Sequence, residues 1–161
     1  MSPPSATVAG PADRRALAEL RTRVFVDEQG VPPEIEQDDA DAWALHVISR
    51  ADDGRVVATG RLLLAPGSTT ATIGRMASDA SVRGGGHGSA VLAELHRQAA
   101  ARGISEVELH AQVSARGFYE RAGYVAVGDP YVEAGIPHIT MRRALPTHDA
   151  ECETRPVRPA E

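Results

Sequence analysis

Four glycines in five positions stand out in the stretch SVRGGGHGSAVL, residues 81–92. They are Gly84, Gly85, Gly86 and Gly88, and a run with the apolar spacing of a helix follows them at once. Backbone without Cβ atoms lets anionic oxygens approach the amides, and a helix dipole favours them by about 0.3–1 kcal/mol. The alternative is that the glycines only permit a tight turn between a strand and a helix. The stretch is therefore a candidate phosphate-binding loop.

The spacing of the glycines in this loop distinguishes a dinucleotide site from a phosphate site at a helix N-terminus. Arg83 to Gly88, RGGGHG, fits the pattern Arg/Gln-x-x-Gly-x-Gly/Ala. The dinucleotide pattern G-x-G-x-x-G would need a glycine where Ser89 stands. The spacing therefore disfavours a dinucleotide-binding fold and leaves open a phosphate held at a helix N-terminus.

Composition excludes several functional classes. All 17 basic residues are arginine, so the chain lacks the lysine that a P-loop or a Schiff-base enzyme needs. A formal charge of −5 and 4% aromatic residues argue against nucleic acid as a partner. The single cysteine, Cys152, fits a reducing compartment, and no apolar run reaches the roughly 18 residues of a membrane span. We expect a cytoplasmic protein without a membrane partner.

The elements that must position the loop predict an α+β fold. Apolar spacing predicts helices after Asp13, after the glycines and after Ser114. Alternating patterns predict strands over residues 42–49, 55–64, 70–78, 106–112, 124–127 and 138–143. This order predicts a mixed, mostly antiparallel sheet with one parallel strand–loop–helix–strand crossover at its centre. Residues 11–145 form the predicted domain, between a flexible segment 1–10 with a possible short strand and a disordered tail 146–161.

Several motifs, in order along the chain, resemble those of the GNAT N-acetyltransferase superfamily. Arg75-Met76-Ala77-Ser78 followed by RGGGHG is similar to its acetyl-CoA motif, and FYERAGY is similar to its short helix and following strand. The segments VFVDEQGVPPEIEQDDADAWALH, TGRLL, LHAQ and GIPHITM narrow the resemblance to the small bacterial ElaA-like branch. The resemblance covers about residues 13–143.

The resemblance implies that acetyl-CoA binds between two splayed central strands, 70–78 and 106–112. Main-chain groups of Met76, Ala77 and Ser78 would meet the pantetheine arm, and Gln112 stands where the superfamily often has asparagine. The pyrophosphate would be held by the glycine loop, which comprises Arg83, Gly84, Gly85, Gly86, His87, Gly88 and Ser89. His87 and Ser78 depart from the aliphatic and apolar residues that the superfamily often has at their positions.

Acetyl transfer to an amine needs a base for the amine, donors for the oxyanion and a proton for the leaving thiolate. Tyr119 matches the tyrosine that protonates the CoA sulfur in many GNAT enzymes; the alternative is a half-buried aromatic residue of an amphipathic helix. The amide of Met76 or Ala77 is the candidate for polarising the acetyl carbonyl.

The general base has several candidates. Glu28 and Glu36 lie with Asp38 and Asp41 in a proline-broken acidic segment that could line the acceptor site, or could simply be solvated. His110 shares a strand face with Gln112 and is a further candidate, or a structural histidine.

Other titratable and charged residues carry weaker expectations. His46 and His138 are weaker candidates for the base than His110. Arg61 and Arg75 lie in predicted strands, where they could order the acidic segment or bind an anionic part of the substrate. No histidine pair has the helical i, i+4 spacing of a zinc site, so no metal is expected.

We therefore predict an enzyme that moves acetyl from acetyl-CoA to a primary amine by direct attack. The acceptor would be a small molecule or a peptide, and the protein a monomer or a homodimer. The alternatives are a CoA-binding sensor on the same fold, and an interaction protein whose glycine loop is only a turn.

Overall fold

The computed structural model describes residues 3–146, so all but the first residue of the predicted tail lies outside the described part. Seven strands are present: β1 (Ala6–Val8), β2 (Leu45–Arg50), β3 (Val56–Leu64), β4 (Thr70–Ser78), β5 (Glu106–Gln112), β6 (Val125–Glu133) and β7 (Ile136–Ala144). They form one sheet in the order β1-β2-β3-β4-β5-β7-β6, in which only β4 and β5 are parallel. The predicted α+β class and central crossover are confirmed.

Helices cover both faces of the sheet. They are α1 (Arg14–Arg21), which continues as a π-helical segment (Thr22–Glu28), α2 (Pro33–Glu36), α3 (His87–Ala101) and α4 (Arg116–Arg121). The predicted apolar face of α3 is buried against one side of the sheet, and Leu17, Leu20 and Val24 are buried against the other. None of the helices within residues 3–146 is both long and apolar enough to cross a membrane.

The two central strands pair over only part of their length. Four residue pairs, from Thr70 with Glu106 to Ile73 with Leu109, join β4 to β5. Beyond them β4 continues to Ser78 against β3 alone, and β5 continues to Gln112 against β7 alone. An opening therefore separates the carboxyl-terminal ends of the two strands, as the resemblance implied.

A β-bulge lies in β4 beside this opening. The register between β3 and β4 shifts so that Gly60 alone faces both Arg75 and Met76, and Arg75 has a left-handed φ of 52°. Before the bulge Ile73 packs into the α3 core, whereas beyond it Ala77 packs into the α1 core. The extra residue thus turns Arg75 toward α2 and Met76 toward α3.

Gly60 makes the bulge possible. A Cβ atom built there would lie 2.5 Å from Met76 Sδ and 2.9 Å from Leu95 Cδ1. The Met76 side chain therefore occupies the space that any larger residue at position 60 would need.

The closing hairpin is longer than its predicted strands, 124–127 and 138–143. Strands β6 and β7 are joined by Ala134-Gly135, and both turn residues have positive φ, which suits a two-residue hairpin turn. A register shift within β6, near Gly128 and Pro130, interrupts the alternation that would have revealed the full strand. At the other edge, β1 forms within the predicted segment 1–10 and pairs with β2.

Candidate active site

Two cavities meet at the opening between β4 and β5. The first, of about 810 Å³, lies at the glycine loop, α3 and α4, and we call it the glycine-loop cavity. The second, of about 650 Å³, lies between the π-helical segment with α2 on one side and β5 with the β6–β7 turn on the other; we call it the sheet cavity. The residues that line both are Met76, Ala77, Ser78, Arg83, Ala115 and Tyr119.

The glycine loop presents unpaired amides to its cavity. Gly84 and Gly86 have φ values of 85° and 93°, a conformation that glycine adopts without strain. Within the loop, Gly85 N donates to Val82 O at 3.0 Å, and the first hydrogen bond of the following helix runs from Ala90 N to Gly86 O at 3.0 Å. The preceding amides of His87, Gly88 and Ser89 have no acceptor within residues 3–146, which is the arrangement that binds anions at helix N-termini.

Gly88 lies where the loop comes close to the end of β4. A Cβ atom there would be 3.3 Å from Ser78 Oγ and 3.6 Å from Phe118 Cζ, so glycine keeps this gap open. Arg83, Arg121 and Arg143 also line the glycine-loop cavity and give it positive charge. The loop, the gap and the arginines together fit the pyrophosphate of a CoA thioester.

The His87 side chain does not contribute to the anion site. Its Nδ1 lies 2.7 Å from Ser49 Oγ, and that hydroxyl also lies 2.9 Å from Ser5 O. Because a carbonyl can only accept, the Ser49 proton goes to Ser5 and His87 Nδ1 donates to Ser49. The imidazole therefore ties the loop to β2 and the N-terminal segment, and His87 offers a ligand its amide.

The main chain of Met76, Ala77 and Ser78 borders both cavities. Beyond Ile73 the edge of β4 that faces β5 has no strand partner, so its amides and carbonyls point into the opening. An extended ligand arm can pair with this edge as a strand would.

Tyr119 lies where the two cavities join. It is 7% exposed, and edge contacts with Phe118 and Tyr124, at ring-centroid distances of 5.0 and 5.8 Å, hold its ring. Its hydroxyl has no hydrogen-bond partner within residues 3–146. Burial raises the pKa of Tyr119, so the phenol stays protonated and can donate.

Glu36, a predicted base, lies buried in an ion pair. It is 3% exposed, its carboxylate accepts from Arg21 Nε, and its carbonyl accepts from Arg21 Nη2 at 2.9 Å. Glu36 lines the sheet cavity, but its carboxylate is bonded to the buried Arg21 and not free to meet an amine, so this placement argues against Glu36 as the base. The pair instead anchors α2 to α1.

The predicted acidic segment is neutralised by arginines. Asp41 accepts from Arg21 Nη1 and Arg61 Nη1, both at 2.8 Å. Burial works to raise the pKa of Asp41, but the hydrogen bonds and charges of these arginines lower it to about 2. The complete network, which we call the arginine–carboxylate network, consists of Arg21, Arg61, Arg75, Glu36, Asp38 and Asp41.

Two bridges attach the π-helical segment to the opening. Glu28, the other predicted carboxylate base, is exposed and pairs with Arg83 Nη2. Gln112 Nε2 donates to Gln29 Oε1 at 2.8 Å, and Gln112 lines the sheet cavity and not the glycine-loop cavity. Both residues therefore border the path into the sheet cavity.

His110 lies exposed on β5, at the sheet cavity. Its Nδ1 is 3.6 Å from Glu133 Oε1, and its Nε2 is 3.5 Å from Glu108 Oε2. A carboxylate lies near each ring nitrogen, and the ring is reachable from solvent at the cavity rim.

His138 is better placed than the sequence suggested. It pairs with Gln112 across β5 and β7, is 8% exposed and lines the sheet cavity. Its Nδ1 donates to Ile136 O at 2.7 Å, which leaves Nε2 as the acceptor of the neutral ring. Nε2 has no partner within the described chain. His46 is instead buried, with Nε2 3.1 Å from Asp41 O, and lines neither cavity.

The described residues contain no cluster of metal-binding side chains. No group of three or more histidine, cysteine, aspartate or glutamate side chains within residues 3–146 is arranged to hold a metal ion.

Comparison with known proteins agrees with this geometry. Residues 15–145 match the family model described as acetyltransferase (GNAT) domain. The chain is 33% identical over 125 residues to the uncharacterized N-acetyltransferase YjcF of Bacillus subtilis, covering 77% of this chain and 87% of that protein. A solved structure from Lactobacillus plantarum has a TM-score of 0.80 at 29% identity, and Escherichia coli ElaA has 0.75 at 27%; each match covers 89% of this chain and 99% of the other.

The chain therefore belongs to the GNAT acetyltransferase family, in its ElaA-like branch. Acyl transfer from a CoA thioester to an amine is the general chemistry of that family.

Proposed function

We propose that this protein transfers acetyl from acetyl-CoA to a primary amine by direct attack. The observation that carries the proposal is the junction at Tyr119, where a cavity suited to a pyrophosphate meets a cavity bordered by histidines and carboxylates. A cytoplasmic location is part of the proposal, since the single cysteine suits a reducing compartment.

The glycine-loop amides and Arg83 would hold the pyrophosphate, and the free edge of β4 would pair with the pantetheine arm. Acetyl-CoA supplies an activated acyl group. The amide of Met76 or Ala77 donates to the acetyl carbonyl oxygen, where negative charge develops as the amine attacks.

Two residues would move the protons. His138 Nε2 accepts the proton that the amine nitrogen loses on forming the C–N bond. Tyr119 donates a proton to the sulfur as the C–S bond breaks, and its raised pKa keeps that proton in place until then. His110 with Glu133, and Glu28, are the alternative bases that border the same cavity.

The test is the release of CoA thiol from acetyl-CoA with a panel of primary amines, for the wild type and for Tyr119→Phe. We expect this variant to lower kcat by about 10²–10⁴-fold, the usual contribution of a general acid. Its Kd for acetyl-CoA, measured by calorimetry, should stay close to that of the wild type. The lack of lysine removes acetylation of the protein's own lysine side chains as a background signal.

Tyr124→Phe is the matched control. Tyr124 packs against Tyr119, but its hydroxyl is 2.6 Å from His96 Nε2 and it lines neither cavity. This variant should keep the wild-type kcat. Equal loss in both variants would contradict the role of Tyr119, and tight acetyl-CoA binding without turnover on any amine would favour the sensor.

A further inference from the structure

Arg75 is aimed into the sheet cavity by backbone strain. By strand alternation after Ala71 and Ile73 it would point into the α3 core, but the bulge at φ 52° turns it to the other face. A non-glycine residue held in this conformation costs about 1–3 kcal/mol and often marks a functional site. The side chain remains 25% exposed and lines the cavity.

Arg75 is also incompletely bonded. Its Nε donates to Glu36 O at 3.1 Å, and its Nη2 donates to Ile35 O and Asp38 Oδ2, both at 3.2 Å. Its Nη1 has no partner within residues 3–146, whereas all three nitrogens of Arg21 are bonded.

The charge of Arg75 is the least compensated in the arginine–carboxylate network. Glu36 is 3.9 Å away and is held by Arg21, and Asp38 is shared with Arg61. Burial and the positive charge of Arg61 lower the pKa of Arg75, while carboxylate partners raise the pKa of Arg21 and Arg61 against burial.

A second unpaired donor lies in the same wall. Arg61 is 5% exposed and lines the sheet cavity, and its Nε is buried with no hydrogen-bond partner in the described chain. Gly74 lies next to Arg75 and also lines the cavity; a Cβ atom there would meet nothing within 4 Å. Open space therefore lies in front of this cationic wall.

The wall of the sheet cavity opposite Arg75 and Arg61 carries carboxylate and imidazole groups instead of guanidinium groups. Beyond β5 and within residues 3–146, Glu133 has only His110 as an ion-pair partner, at 3.6 Å, and His138 Nε2 makes no hydrogen bond. A cationic wall and a wall of carboxylate and imidazole groups suit a molecule with a negative group at one end and an amine at the other.

We propose that the acceptor is a small amine that also carries a carboxylate, and that the carboxylate binds at Arg75 Nη1 beside Arg61. The amine then lies toward His138 and Glu133. This inference rests on the proposed function for its amine end, and Arg75 is a specificity-determining residue.

The test uses pairs of acceptors that differ in the carboxylate: β-alanine against propylamine, and γ-aminobutyrate against butylamine, with putrescine as a dication. Thiol release gives kcat/KM, and calorimetry on the protein–CoA complex gives the Kd of each amine. We expect the wild type to prefer the carboxylates by about 10–100-fold, as hydrogen bonds to charged groups provide.

Arg75→Gln should bring this ratio close to one, and Arg75→Lys should restore part of it, with kcat/KM for the amines without a carboxylate changed little. Thermal unfolding shows whether each variant is folded; if Arg75→Gln is not, the wild-type ratio and competitive inhibition of propylamine acetylation by propionate decide the matter. Preference for propylamine, butylamine or putrescine, or an unchanged ratio in a folded Arg75→Gln, overturns the inference. Selective binding of β-alanine without thiol release would support the inference and contradict the proposed function, and failure of every amine to bind would contradict both.

Discussion

Gly60→Ala probes the contact between the core and the β4 bulge. The added Cβ atom would lie 2.5 Å from Met76 Sδ, 2.9 Å from Leu95 Cδ1 and 3.1 Å from Val91 Cγ1. Overpacking of this kind costs about 1–3 kcal/mol, against a gain of about 0.4–1 kcal/mol from restricting the unfolded chain. We expect a net loss of about 1–2 kcal/mol in the free energy of unfolding.

The same substitution should weaken acetyl-CoA binding. Of the three neighbours, Met76 has the most flexible side chain, so it is displaced first. Met76 also lines both cavities. A displacement that removes about 1 kcal/mol of ligand interaction raises Kd about fivefold.

Urea unfolding of Gly60→Ala, Met76→Ala and the double variant forms a mutant cycle. The smaller side chain at position 76 makes room for the new methyl group, so the double variant should be more stable than additivity predicts, by about 0.5–2 kcal/mol. Gly74→Ala is the control on the neighbouring strand, because its Cβ atom meets nothing; the free energy of unfolding should not fall and should rise by about 0.4–1 kcal/mol. Strict additivity in the cycle, or equal effects of Gly60→Ala and Gly74→Ala, would refute the reasoning.

Three further predictions concern the general base, the arginine–carboxylate network and the stability of the protein at acidic pH. His138→Gln should lower kcat/KM by about 10²-fold; an unchanged kcat/KM would point to another base. Glu36→Gln removes one of the two carboxylates that pair with buried Arg21 and leaves Asp41 as the other, so it should cost about 1–3 kcal/mol in urea unfolding; an unchanged free energy of unfolding would contradict the buried pair. Burial, then the charge of Arg143, lowers the pKa of His96 from 6.5 to about 4, so the unfolded chain binds more protons between these pH values. Stability should therefore fall by up to about 3 kcal/mol as pH drops through that window, and unfolding of His96→Gln should show a flatter dependence.

Local patterns were enough to predict much of the fold. Val91, Leu92 and Leu95 recur at helical spacing and are all buried, and Val107 and Leu109 alternate as β5 requires. Such patterns depend on neighbours within a few residues, which the sequence displays directly.

Features that depend on distant partners were not visible. The bulge at Arg75 exists because Gly60, on another strand, leaves room for Met76. The full length of β6 was hidden because Gly128 and Pro130 read as breakers, although Ala134-Gly135 closes the hairpin beyond them.

The candidate site also combines residues that local patterns predict with residues whose surroundings depend on distant partners. The glycine loop and Tyr119 lie in contiguous motifs, and the structure brings them to one opening. The surroundings of Glu36 and His138 depend on a pairing with Arg21 and a register with Gln112, neither of which the local sequence displays. The alternation of His138, Thr140 and Arg142 on β7 was the available signal, but it acquires meaning only once β7 is placed beside β5.

The short seam between β4 and β5 has a consequence for the stability of the whole protein. Within the sheet, four parallel residue pairs join its two halves, and the rest of the seam is the opening that we propose as the acetyl-CoA site. A ligand in that opening contacts both halves and replaces part of the missing strand pairing. Under the proposed function, acetyl-CoA therefore stabilises the contact between the two halves of the sheet. At a hundred times its Kd it would add about 2.7 kcal/mol to the unfolding free energy. Resistance to proteolysis would then rise and fall with the concentration of acetyl-CoA. The lifetime of the folded protein would therefore depend on the metabolic supply of acetyl-CoA.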